Sequence, residues 1–119
     1  MKKLLTILFA VVTLQAHHGW AAFDHSKTLT FQGTVTAFRF LNPHSVVEFT
    51  AKDPNGKVIS WQGELTSASR LSTKGWAASS LAKGDEINIS GYPAHDVNII
   101  RISKLTLASG KPLTILMDN

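Results

Sequence analysis

"TLTFQGTVTAFRF", residues 28–40, is the stretch whose reading decides the fold. Leu29, Phe31, Gly33, Val35 and Ala37 alternate with threonines and Gln32, the period-two pattern of a strand with one face buried. Glycine in mid-strand, at Gly33, predicts a bulge or sharp bend there. Asn42-Pro43 closes the strand, because proline has no N–H to give to a ladder.

Downstream, "SVVEFTA" (45–51) reads as a second strand and "KVISWQGEL" (57–65) as its return. "DPNG" (53–56) joins them: proline presets one dihedral and Asn-Gly tolerates positive φ. "TSASRLSTKGW" (66–76) changes character. Thr66 or Ser67 can cap a short helix there and Gly75 can end it. After a loop at 79–85, "EINISGYPA" (86–94) and "VNIIRISKLTLA" (97–108) read as strands four and five. "SGKP" then turns the chain into "LTILM", a short edge strand. Three strands, a short helix and two strands is the order of an OB-fold, a small Greek-key barrel. A long first strand with a central glycine suits it, since that strand must curve through both halves of the barrel. A β-sandwich leaves the helix between strands three and four unexplained. The expected fold is therefore all-β: an OB-fold-like barrel of five to six strands with one short helix.

Upstream, Met1-Lys2-Lys3 precedes an almost unbroken apolar run from Leu4 to Leu14. A positive start, a short apolar run and small residues after it make a secretory signal peptide. The run is too short to span a bilayer, which takes about 20 residues. Cleavage after Ala16 is expected. The chain then divides into a signal peptide (1–16), an N-terminal arm (17–27) and a barrel domain (28–119). Removing 16 residues from 119 leaves 103, enough for one modest core. Loss of Lys2 and Lys3 lowers the formal charge from +4 to +2. The remaining lysines are scattered, which argues against a nucleic-acid surface. There is no cysteine, so neither disulfides nor thiolate chemistry are available. No second apolar segment follows, so the mature protein is expected to be periplasmic or secreted, without stable membrane insertion.

Several separated motifs support a resemblance. "AHHGWAAFD" (16–24), "GTVTAFRFLNPH" (33–44), "GKVISWQGEL" (56–65), "RLSTKGW" (70–76), "SLAKGDEINISGYPA" (80–94) and "GKPL" (110–113) occur in one order. Together they resemble a family of small exported bacterial proteins of unknown function, marked by an Ala-His-His opening and an Asn-Pro-His motif. Gly19 and Trp20 depart from it, where Ser and Phe would be expected. The resemblance implies export and an OB-like barrel, and no particular activity.

The histidines are the chemistry-bearing residues. If the cut follows Ala16, His17 begins the mature chain. Its α-amine and its own imidazole can then chelate one metal ion, and a further histidine would complete a three-nitrogen site. Such a nitrogen set suits Cu(II), the tightest-binding ion of the divalent series. The expected ligands are His17, His18 and His44, for Cu(II) or another divalent metal. His44 follows a strand end, where a scaffold commonly presents binding groups, and His95 lies in a second rim loop. The plain alternatives are a solvated terminus for His17 and His18 and a turn-stabilising role for His44. Asp24 and His25 can contribute to a site, or Asp24 can hydrogen-bond a turn.

Trp61, Gly63 and Leu65 share one face and Glu64 the other, so with Trp61 inward Glu64 faces outward; a groove carboxylate there could be a ligand or general base, but a solvated surface glutamate is the more common case. Trp61 and Trp76 sit in apolar patterns and are expected in the core, while Trp20 can pin the arm. No paired carboxylates, nucleophile elbow or phosphate loop is present. The partner expected is a metal ion or small ligand, not nucleic acid. Three readings remain: a metal-binding module, a non-metal ligand- or protein-binding module on the barrel face, and a copper-dependent redox enzyme, with binding favoured over catalysis.

Overall fold

A computed structural model describes residues 22–115. Six strands form in the expected order: β1 (Leu29–Arg39), β2 (Val46–Lys52), β3 (Val58–Glu64), β4 (Glu86–Pro93), β5 (Ile99–Leu107) and β6 (Pro112–Leu113). The helix α1 (Ala68–Ser72) lies between β3 and β4. The sheet runs β3-β2-β1-β4-β5-β6, and a parallel pairing of β3 with β5 closes it. The result is a closed five-stranded barrel with one extra edge strand, and the closure rules out the two-sheet sandwich.

Local signals account for each turn. Asp53 accepts backbone N–H bonds from Asn55 and Lys57 through one carboxylate oxygen, and Gly56 takes φ +80°, so the β2–β3 hairpin turns where DPNG requires. Ser67 caps α1 by accepting from the Arg70 N–H at 3.2 Å. The helix ends at Ser72, earlier than 66–76 allows, and Gly75 follows with φ +88°. A single 3₁₀ turn, Ala78–Ser80, interrupts the loop before β4.

Phe49, Val47, Leu65, Leu71, Ile89 and Ile100 form the centre of the core, each at most 1% exposed. Trp76 is buried as expected and donates its indole N–H to the Thr114 carbonyl at 2.8 Å, tying the end of the described chain to the barrel. Trp61 is half-buried against the same core.

The first strand alternates as expected from Leu29 to Val35 and then slips. The irregularity lies between Val35 and Ala37, not at Gly33, and it turns Phe38 onto the core. Gly33 serves another purpose. A Cβ there would stand 2.8 Å from the Phe49 ring, so glycine leaves room for that fully buried ring beside β1.

Segment 22–27 is tied to the barrel. Phe23 is buried and bridges to Ala94, and the Asp24 N–H bonds the Pro93 carbonyl at 2.8 Å. Among the described residues no helix is long and apolar enough to cross a membrane.

Candidate functional site

Strand register brings one row of residues together on the outer face of the barrel. Tyr92 of β4 stands opposite Arg101 of β5, Arg101 opposite Glu64 of β3, and Glu64 opposite Val46 of β2. Paired residues share a face. Their neighbours Ile100, Ile102, Gly63 and Leu65 fill the interior, so this row points away from the core.

It is nevertheless covered. Glu64 is 8% exposed and Arg101 6%, with Thr66, just beyond β3, at 1%. This corrects the expectation for Glu64: its face is the outer one, but the side chain is buried rather than solvated. Burial is the main cause that draws the Arg101 guanidinium below its usual pKa; the Glu64 charge opposes that and the Arg70 charge adds to it. Arg70, on α1, also reaches the Thr66 hydroxyl at 3.5 Å. Within this group Glu64 Oε2 is buried and receives no hydrogen bond among the described residues. Buried acceptors are nearly always satisfied, so an orphan oxygen requires a reason.

The residues around the row are rigidly presented. The turn at 41–45 contains a cis Asn42-Pro43 bond and is knitted to α1: Ala68 N–H bonds Leu41 O, and Ser69 N–H bonds Asn42 Oδ1. Ser45, fully buried, exchanges hydrogen bonds with Leu41. Asn42 and Ser45 thus carry the turn-stabilising role expected of His44, and His44 itself is exposed beside them. On the opposite flank the His25 ring packs against Tyr92 at a tilt of 49°, with centroids 4.8 Å apart. Asp24 accepts from both the hydroxyl and the N–H of Ser26, and these bonds hold its carboxyl below the ordinary range. That is the turn role expected of Asp24. His95 is exposed in the β4–β5 loop.

Of the expected metal ligands, His44 alone falls within the described residues. His17 and His18 lie outside them, as do Trp20 and the signal peptide. Among the described residues no three His, Asp or Glu are grouped to hold a metal ion. Arg101 and Arg70 were not anticipated, although an arginine inside the apolar run "NIIRISKL" is the signal that marks the first.

A second surface lies where the barrel interior opens. Phe31 and Trp61 pack at a tilt of 45° with centroids 4.7 Å apart, and with Leu29, Ala51, Pro54 and Ile59 they line an open cleft of about 560 Å³.

Fold and site together define a small closed β-barrel with a buried polar row on its outer wall. The chain belongs to a family of unknown function, DUF6152, whose model matches residues 6–102. No curated protein matches it.

Proposed function

We propose that the protein is a small exported binding module that holds a divalent cation, Cu(II) foremost, through His17 at the mature N-terminus together with His18 and His44. The observation that carries this reading is the setting of His44: exposed, on a turn pinned by Asn42 and Ser45, two residues before Val46 and so next to the buried row. The nitrogen donors favour copper over magnesium or calcium, which prefer oxygen. Binding is favoured over turnover, because the sequence shows neither paired carboxylates nor a nucleophile elbow.

The test is Cu(II) titration of the exported, tag-free protein whose first residue has been fixed by mass spectrometry. His17→Ala and His44→Ala are each expected to weaken binding at least tenfold. Equal affinity in wild type and His17→Ala overturns the reading. A second reading rests on the Phe31–Trp61 cleft, whose apolar walls suit an aromatic or acyl ligand without any metal. It predicts thermal shifts with such ligands that persist in chelator.

A further inference from the structure

The barrel wall is open along half of β3. β5 pairs with this strand only over Gln62–Glu64. Between Gln62 and the 53–56 turn, β3 has β2 on one side and no strand among the described residues on the other. Backbone groups of alternate residues point to the same side of a strand. The Gln62 N–H turns away from β2, to the Asn98 carbonyl at 3.0 Å. By the same parity the N–H and C=O of Ser60 and Val58 turn away from β2, into the open edge. Both residues are exposed, Val58 at 59%. Natural edges are commonly guarded by lysine, proline or a bulge, and Val58–Trp61 carries none of these.

Ile59 and Trp61, on the inward face of the same stretch, line the Phe31–Trp61 cleft. A strand laid along the edge therefore sets alternate side chains into that cleft. Lys52 and Lys57 flank the turn end of the edge without an ion pair among the described residues, while Asp53 is engaged in the turn. Resting on the metal-free reading of the cleft, we propose that this edge binds an extended peptide of a partner protein by strand addition. An aromatic side chain enters the cleft and an acidic residue faces Lys52 and Lys57. The peptide ends or bends at Asn98, where β5 enters the same line. A second copy of the chain fits worse: an antiparallel second β3 would drive its own 53–56 turn into Asn98 and Ile99.

The probes are the peptides Val-Phe-Val-Asp-Asp and Asp-Asp-Val-Phe-Val, one for each strand direction, titrated in chelator into the exported protein. One of them is expected to bind and to slow amide exchange at Ser60. Methylating one alternate set of its amide nitrogens abolishes binding and methylating the other set does not, because a strand offers every second residue to its neighbour. Ser60→Pro removes a donor that the β2–β3 ladder does not use, and weakens binding about tenfold. Failure of both probes, or equal effects of the two methylation sets, overturns the proposal. If Ser60→Pro does not fold, the methylated probes decide on wild type. If aromatic or acyl ligands shift the melting temperature while both peptides fail, the cleft reading stands and strand addition falls; if neither acts, both fall. A dimer that dissociates in Ser60→Pro and takes no peptide makes a second copy the occupant and overturns the proposal equally.

Discussion

Two glutamate–arginine pairs sit on the outer wall of this barrel and live under different physics. Arg39 and Glu48 meet at 2.7 Å with side chains 57% and 24% exposed, a solvated pair in full hydrogen-bonding contact. Glu64 and Arg101 share a register position a few residues away and are almost completely buried, and Glu64 Oε2 has no donor among the described residues. In the first pair water screens the attraction and compensates any misfit. In the second each charge depends on the other, and an unmet acceptor has no water to turn to. Burial without satisfaction, on a face that does not build the core, separates a candidate site from surface decoration.

The largest expected effect breaks the comparison if it fails. Arg101→Met should cost about 3–5 kcal/mol in urea unfolding, because it strands the Glu64 carboxylate. Arg39→Met should cost under about 1 kcal/mol. Similar values for both would mean that the Glu64 environment is wetter than its exposure implies. Gly91→Ala reaches the buried pair without touching a charge. Its Cβ would clash with the Arg101 carbonyl oxygen, where backbone must move. A cost of about 1–3 kcal/mol is expected. Gly33→Ala should cost less, since its added carbon meets the edge of the Phe49 ring, a side chain that can tilt.

The barrel was legible in the sequence because each strand alternates and each turn carries its own chemistry, DPNG above all. The slip after Val35 was not, because a bulge at Thr36 costs one residue of register and leaves no compositional mark; Gly33 drew the expectation instead. The outer row was misread for a related reason. Alternation places Glu64 on the outer face correctly, but parity says nothing about what lies over a face. Only the register that sets Glu64 beside Arg101, 37 positions later in the chain, shows the carboxylate enclosed. The turn that carries His44 was legible because a Pro-terminated strand end announces one. Its neighbours Asn42 and Ser45, which hold that turn, look in sequence like any loop residues.

Salt sharpens the contrast more gently. Raising sodium chloride to 1 M shortens the screening length to about 3 Å and should remove most of what Arg39–Glu48 contributes, about 0.2–1 kcal/mol. The salt response should therefore vanish in Arg39→Met and persist in Arg101→Met. Equal salt sensitivity in both variants would place the two pairs in the same environment.

The smallest effect concerns a third carboxylate, Asp24, which lies 3.8 Å from Lys27 at the surface. Its pKa is lowered chiefly by the Ser26 hydroxyl, then by the Ser26 N–H. A depressed carboxyl stabilises the folded turn above its ordinary pKa, and that contribution is lost as pH falls through the lowered value. The turn at 24–27 should therefore open in acid before the barrel does, because its bonds are local while the barrel is held by the core. Amide exchange at Ser26 followed from pH 6 downward checks this. Wild type should lose protection only below the ordinary carboxylate range, and Ser26→Ala should lose it at higher pH because the hydroxyl no longer favours the ionised form. If both titrate together, the hydroxyl bond is not what holds the turn. Segment 22–25 would then be anchored by the Phe23–Ala94 bridge and the Asp24 N–H bond to the Pro93 carbonyl.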